Sequence, residues 1–341
     1  MGHFRRFAVG SALLTSSLYP HSTNSTTPLI SEPIAASPRV RLGTLSPLLR
    51  RQLRFLAACT VVLAACFALP LSALVRLALH SDLYSHILLI PFVSLYLAWL
   101  KKNELRHDSA PDRKLAVLPL AAGLLSSLAF LALHSRLRLA PVDSLAWNTF
   151  SFFLLFIGAS CLCLGRQTLR ALAFPLGFLI FLVPFPVIVR DAIEAFLQHR
   201  SADGAELLFG LAGTPLLRHG VDFQLPGFSL QVAPECSGIR SSFVLFITSL
   251  VAGQLFLRSP WKRALFALAV IPLGILRNAF RIVVIGELCV HVDPGFIDSP
   301  IHHRGGPVFF AISLIPFLLL LYYLRKTDVR KHRSRDATPA A

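Results

Sequence analysis

Apolar runs of about 20 residues recur along this chain, and they constrain its fold more than any other feature. Of its 341 residues, 55% are hydrophobic and 15% are charged, whereas about 25% charged residues are usual in a soluble domain. A helix needs about 20 apolar residues to cross the bilayer core. We therefore predict an all-α polytopic membrane protein with about eight transmembrane helices. The predicted spans are 55–79, 84–100, 114–134, 146–165, 171–189, 238–257, 264–290 and 307–324.

Basic residues predict how these spans are oriented. If the N-terminus is cytoplasmic, every lysine falls on the cytoplasmic side, in the loops 101–114 and 258–263 and after Arg325. This distribution obeys the positive-inside rule. The formal net charge of +16 is also compatible with nucleic-acid binding. The basic residues lie beside the predicted spans, which indicates that they orient the protein in the membrane and contact membrane lipids. We therefore expect no nucleic-acid partner.

Three regions are predicted. Residues 1–50 are rich in Ser, Thr and Pro and predict a flexible cytoplasmic tail. Residues 51–325 form the transmembrane domain, and 326–341 a basic cytoplasmic tail. The segment 190–237, between the fifth and sixth spans, is long enough for a small extracytoplasmic cap.

The cap has its own pattern. Residues 191–197 and 205–211 predict amphipathic helical pieces that lie at the membrane interface. Val221 to Val232 alternates like a strand or hairpin, with Pro226 and Gly227 at the turn.

Cys236 stands at the junction of the cap and the sixth span, directly before Ser237 and Gly238. The reactive form of cysteine is the thiolate, which a helix N-terminus and a nearby cation both favour. Burial acts against it, so a cationic partner is required. A disulfide between Cys236 and Cys289 is the structural alternative. The other cysteines lack the spacing of a zinc site, and we expect neither metal nor cofactor.

Two arginines lie inside the predicted seventh span. Arg277 and Arg281 are four residues apart and therefore share one helix face. A charge in mid-membrane is costly and usually faces a cavity or a partner, although both could also snorkel toward the interface. A guanidinium can stabilise the oxyanion of a tetrahedral intermediate or hold a thiolate. Asn278 could fix its orientation.

Histidines on the predicted outer side supply a candidate proton donor. His302 and His303 precede the last span, and a histidine can protonate a leaving amine near neutral pH. His86, at the outer end of the second predicted span, is a competing candidate. The outer face thus gathers a thiol, a guanidinium and an imidazole.

These residues resemble those of a known family, the exosortases of the exosortase/archaeosortase superfamily. Glu235–Ser241 reads Glu-Cys-Ser-Gly-Ile-Arg-Ser and resembles the family's nucleophile motif. Asn278–Ile282 resembles its Asn-x-x-Arg-Ile motif, and His302 with Gly306 resembles its His-x-x-x-Gly motif. Tyr84–His86 resembles a weaker fourth signature.

The resemblance implies a membrane cysteine transpeptidase or protease of the bacterial inner membrane, with its active site on the periplasmic face. Its substrates would be exported proteins that end in a Pro-Glu-Pro type sorting motif, a transmembrane helix and a basic cluster. The acyl group would pass through a thioester to a surface acceptor, near exopolysaccharide assembly machinery. Carried over by position, Cys236 is the nucleophile, Arg281 the oxyanion or thiolate partner and His302 the general acid/base. Arg240 and Glu235 fall within the nucleophile motif as supporting residues.

Other functions remain open at this stage. A transporter could bind an anion at buried arginines beside a helix broken at Pro272–Gly274, but no repeated halves are visible. A structural subunit of a polysaccharide export system would explain the hydrophobicity alone. An intramembrane serine protease would need a histidine at depth near Ser237 or Ser241, and none lies mid-span.

Overall fold

The structure is a computed structural model that describes residues 47–102, 104–106, 113–232, 238–293, 295–296 and 306–336. Residues 1–46 of the predicted tail lie outside this part of the chain. The α-helices are α1 (Pro47–Cys66), α2 (Ala68–His80), α3 (Ile90–Leu100), α4 (Arg113–Leu137), α5 (Pro141–Cys163), α6 (Arg166–Phe178), α7 (Val187–Ala212), α8 (Ile239–Phe256), α9 (Pro260–Leu268), α10 (Val270–His291) and α11 (Gly306–Asp336). The strands are β1 (Leu217–His219), β2 (Asp222–Leu225) and β3 (Phe228–Gln231).

The helical membrane architecture is confirmed, but the predicted count of about eight spans is not. Within the described residues, five helical segments are long and apolar enough to cross a bilayer. The count rises to seven if each of two bent helix pairs is one span. The five are Arg113–Leu137, Pro141–Cys163, Ile239–Phe256, Pro260–His291 and Gly306–Asp328.

Proline accounts for the bend between α1 and α2. The two helices meet at 81° around Phe67, in the middle of the predicted span 55–79. Pro70 has no N–H to donate to the carbonyl of Cys66, and its ring crowds that carbonyl, so a straight helix cannot continue. The length of the apolar run predicted a single span here, and it gave no indication of the bend within that run.

The predicted second span, 84–100, is too short to cross the bilayer alone. Residues Ser85–Leu88 form a 3-10 turn, and α3 has only 11 residues. At 1.5 Å per residue, α3 is about 16 Å long, roughly half the thickness of the hydrocarbon core.

The bend between α6 and α7 changes the predicted cap. The segment Arg166–Leu182 meets α7 at 93°, where Pro184 and Pro186 interrupt helical hydrogen bonding. The two amphipathic pieces predicted at 191–197 and 205–211 lie within one continuous helix, α7. The structure therefore corrects two short helices to one long helix.

The hairpin predicted within 221–232 is present. Strands β2 and β3 pair antiparallel with Leu225 opposite Phe228, so Pro226 and Gly227 form the two-residue turn. Gly227 has φ +87°, as the third position of a type II turn requires. Strand β1 pairs with the other edge of β2.

This sheet packs on α7 and α10 through its alternating apolar side chains. Phe209 on α7 and Phe223 on β2 are fully buried. Close approach of α7 and α10 depends on glycine, because a Cβ on Gly286 would lie 2.5 Å from the ring of Phe209. The buried members of the cluster are Ala202, Ala205, Phe209, Phe223, Leu225, Leu230, Val232, Ala279, Ile282 and Val283.

A buried ion pair connects α9 to α11 at the end of these helices that is predicted to be cytoplasmic. Lys262 Nζ on α9 lies 3.3 Å from Asp328 Oδ1 on α11, and both side chains are 6% exposed. Asp328 Oδ2 also accepts the N–H groups of Arg258 and Ser259 at 2.6 and 3.2 Å. The carboxylate thereby caps the N-terminus of α9, where negative charge is favoured.

Candidate active site

Gly238 lies directly before α8, at its N-cap position, in a backbone conformation that favours glycine. Its φ is +74°, in the left-handed region that residues with a Cβ rarely adopt. Its carbonyl oxygen accepts the N–H of Ser242 at 3.0 Å and the hydroxyl of Ser241 at 3.1 Å. The first turn of the helix is therefore fixed two residues after Cys236.

A buried guanidinium holds the same carbonyl. Arg277 on α10 is 8% exposed, and its Nη2 donates to Gly238 O at 3.3 Å and to Ser242 Oγ at 3.2 Å. A Cβ at position 238 would lie 2.9 Å from Arg277 Nη2. Glycine is required at this position both for its φ angle and for the approach of Arg277.

A second glycine brings the two helices together. A Cβ on Gly274 would lie 2.5 Å from Ser242 Oγ, so α8 and α10 could not cross this closely with a larger residue there. Gly274 precedes Arg277 by about one helical turn, and the crossing delivers the guanidinium to the start of α8. Helix α10 runs through Pro272 and Gly274 without a break, and the helical interruption in this span lies at Ala269, between α9 and α10.

The chain preceding Cys236 is also anchored, at Val232. The Val232 N–H donates to Val221 O at 3.0 Å, and its carbonyl accepts from Gln198 Nε2 on α7. Val232 is 2% exposed and lines a small pocket of about 20 Å³ together with Asn278 and Arg281 of α10. The other lining residues are Leu230, Gln231, Ile282 and Ile285.

One face of α10 therefore meets both ends of the segment 233–237. Arg277 reaches the residue that follows this segment, while Asn278 and Arg281 share a pocket with the residue that precedes it. Asn278 is 2% exposed, and Arg281 is half-buried. Two cations and an amide thus lie beside Val232 and Gly238, which flank the five residues that contain Cys236 in the sequence.

The whole of this arrangement falls within the sequence range that matches a known family. Residues 77–319 match the family described as transmembrane exosortase. The chain belongs to the transmembrane exosortase family. Neither a curated protein nor a solved structure matches the chain. The family match covers α3 to α10 and most of the predicted last span, including every candidate site residue.

Four candidate residues of this exosortase family member lie outside the described residues. They are Glu235, Cys236, His302 and His303. Cys289, the predicted alternative partner of Cys236, is buried in α10. The roles predicted for the four residues stay predictions.

His86 lies against the first turns of α8. Its ring meets the Phe243 ring edge-on, with centroids 4.8 Å apart, and its Nδ1 lies 3.0 Å from Leu83 O. Burial lowers the pKa of His86, against the opposing effect of the Leu83 and Phe181 carbonyls. His86 belongs to the 3-10 turn Ser85–Leu88, which is outside the candidate membrane spans. Because its pKa is lowered, the neutral imidazole is the favoured form at neutral pH.

Arg240 pairs with a residue outside the group formed by Arg277, Asn278 and Arg281. Its Nη1 forms an ion pair with Asp82 at 2.8 Å, and the two side chains are 55% and 82% exposed. An exposed pair of this kind contributes little to stability. Arg240 connects α8 to the loop before His86 and has no described hydrogen bond to Arg277 or Asn278.

Sequence reasoning missed three contributors to this exosortase site: Ser242, Gly274 and Gln198. Ser242 accepts from Arg277 Nη2, 35 residues away, and Gln198 donates to the Val232 carbonyl, 34 residues away. Gly274 acts through the Cβ that it lacks, which would collide with Ser242, 32 residues away. Only the four-residue spacing of Gly238 and Ser242 was a local signal, because it places both on the first turn of a helix. Among the described residues, no group of three His, Cys, Asp or Glu side chains could hold a metal ion.

Proposed function

We propose that this exosortase family member is a cysteine transpeptidase that cleaves C-terminal sorting signals of exported proteins. One observation carries the proposal: both ends of the segment containing Cys236 meet the α10 face that bears Arg277, Asn278 and Arg281. A transporter or a structural subunit does not require cations beside the residues that flank a cysteine in the sequence.

Chain connectivity supports the placement of the thiol near these cations. Cys236 and Gly238 are two peptide units apart, so their Cα atoms can be separated by at most about 7.6 Å. The Gly238 carbonyl is itself bonded to Arg277. The N-terminus of α8 and the guanidinium charges both favour the thiolate.

In the proposed reaction the Cys236 thiolate attacks the carbonyl carbon of the substrate peptide bond. The π electron pair moves to the carbonyl oxygen and forms a tetrahedral oxyanion. When the carbonyl re-forms, the C–N bond breaks, and the leaving nitrogen takes a proton from His302. The acyl group remains on sulfur as a thioester.

The second half of the reaction regenerates the enzyme. A nucleophile on the acceptor gives its proton to His302 and attacks the thioester carbon. The C–S bond then breaks and the thiolate returns. Water in place of the acceptor would give hydrolysis, so the same site supports a protease or a transpeptidase.

Substrate and location follow from the resemblance. The proposed substrates carry a Pro-Glu-Pro type motif, an apolar helix and a basic cluster, the acceptor is a nucleophile at the cell surface, and exopolysaccharide assembly machinery is a proposed partner. The distribution of lysine and arginine supports a multi-pass protein of the bacterial inner membrane. In this orientation the start of α8 and the outer half of α10 face the periplasm.

The test is co-expression with a reporter protein that ends in such a signal. Immunoblots should show loss of the C-terminal segment with the wild-type enzyme and with Cys66→Ala, an exposed thiol remote from the site, but not with Cys236→Ala. Intact mass of the shortened reporter would separate a free carboxylate from a transferred acceptor. Processing by Cys236→Ala at normal expression would refute the proposal.

A further inference from the structure

Two neighbouring donors on α10 are buried without a hydrogen-bond acceptor. Within the part of the chain that the structure describes, Arg277 Nη1 and Asn278 Nδ2 have no partner. The residues are only 8% and 2% exposed. Buried polar groups are almost always paired, because losing water without gaining a partner is costly. Two unpaired donors side by side therefore indicate a place for an acceptor that the described residues do not supply.

The rest of each side chain is held, so the donors are preorganised. Arg277 Nη2 is bonded to Gly238 O and Ser242 Oγ, which fixes the plane of the guanidinium. Asn278 Oδ1 would lie 3.5 Å from a Cβ at position 238, so the amide faces the same glycine. Both groups adjoin the N-terminus of the 18-residue helix α8, whose first N–H groups favour negative charge.

Among the described residues, no structural anion accounts for the arrangement. Among the described ion pairs, Arg277 has no carboxylate partner; the nearest charged residue on α10 is the cation Arg281, and the α10 carboxylate Glu287 pairs with His291 at 3.0 Å. An acceptor that arrives with a ligand or develops during a reaction fits these two donors. An oxygen that becomes negative only as the reaction proceeds fits donors that stay vacant in the resting state.

We propose that Arg277 Nη1 and Asn278 Nδ2 form the oxyanion-binding site for the tetrahedral intermediate on Cys236. This inference rests on the proposed function. It assigns the negative oxygen to Arg277 and Asn278, and leaves Arg281, in the pocket beside Val232, as the cation that stabilises the thiolate. When the thiolate attacks, the carbonyl π pair moves onto this oxygen, which accepts both N–H groups. When the C–N bond breaks, the pair returns to the carbonyl.

The sharpest variant is Asn278→Leu, which keeps the shape of the side chain and removes the donor. If the donor serves only the reaction, its removal eliminates a buried unpaired group and leaves the fold intact. The melting temperature of the purified protein should then equal or exceed that of the wild type. This measurement requires no substrate.

Activity and thiol reactivity complete the test. Processing of the Pro-Glu-Pro reporter in proteoliposomes should lose about 10²–10³-fold in kcat for Asn278→Leu, with KM nearly unchanged. In a background where Cys236 is the sole cysteine, its rate of alkylation by iodoacetamide against pH should match the parent. Arg281→Gln should instead move that profile to higher pH. The control Ser249→Ala removes a buried hydroxyl of α8 whose described hydrogen bond is to Phe246 O, so it leaves Arg277 and Asn278 with all their described contacts and should retain most of the kcat.

Three outcomes would overturn the assignment. They are a melting temperature several degrees lower for Asn278→Leu, kcat within a few-fold of wild type, or an alkylation profile that shifts with Asn278→Leu. The proposed function fails separately, because it requires only that processing depend on Cys236.

Discussion

The carbonyl oxygen of Gly238 lies 3.3 Å from Nη2 of Arg277, 39 residues further along the chain. The same oxygen accepts the Ser242 N–H and the Ser241 hydroxyl. A main-chain oxygen with three donors, one of them cationic, has little freedom to move. This contact therefore sets where α8 starts, and with it the position from which the chain runs back to Cys236.

Replacing Gly238 by alanine should disrupt the site. The new Cβ would be strained by φ +74° and would lie 2.9 Å from Arg277 Nη2, so the guanidinium must move. Gly213→Ala is the matched control, because Gly213 has φ +80° but nothing within 4 Å of the added carbon. Both should lose about 1–2 kcal/mol of stability from backbone strain. Only Gly238→Ala should also lose reporter processing, and equal processing by the two would show that the Arg277 contact is dispensable.

Arg281 should not tolerate lysine. An ammonium lacks the planar fork of the guanidinium and cannot present two donors in a fixed direction. Arg281→Lys and Arg281→Ala are expected to abolish processing on immunoblots at normal expression. Arg240→Gln, which removes an exposed ion pair, should process normally. If the lysine variant is active, a point charge is sufficient at this position.

The two neighbouring histidines should differ in their effect. His302→Ala should reduce processing severely and His303→Ala only mildly, because the four-residue spacing to Gly306 matches His302. The measurement is the initial rate of reporter cleavage from pH 5 to 9. The opposite ranking of the two variants would move the general acid/base by one residue.

The buried ion pair at the other end of the bundle should matter for stability. Asp328→Ala leaves Lys262 buried without its carboxylate and removes the acceptor of two backbone N–H groups. A loss of about 3–5 kcal/mol is expected, visible as a lower melting temperature in detergent. Glu104→Ala breaks an exposed pair with Lys101 and should cost less than about 1 kcal/mol. Similar losses for both variants would contradict this.

Helices α4 and α5 pack through glycine, and alanine should separate them. A Cβ on Gly158 would lie 2.6 Å from Leu120 Cγ, and one on Gly123 would lie 2.8 Å from Leu155 Cγ. Small residues let membrane helices approach closely, so Gly158→Ala should destabilise by about 1–3 kcal/mol. Gly177→Ala has open space and should be neutral or slightly stabilising. Thermal melts of the two variants would decide the point.

Local pattern and tertiary contact contributed differently to these results. The membrane class and the hairpin at 221–232 could be predicted, because apolar length and strand alternation are properties of neighbouring residues. The span count could not, since Pro70 turns α1 into α2 at 81° and the length of an apolar run does not report a bend.

The sequence by itself determined which groups are available for chemistry and their order along the chain: Cys236, then Arg277 and Arg281, then His302. It also placed the two arginines on one helix face, because four residues make about one turn. Only the tertiary structure decided that Arg277 holds Gly238 while Arg281 lies beside Val232. The different positions of the two arginines depend on glycines that let α8 and α10 cross closely. A contact between residues 39 apart leaves no periodic signal in the sequence.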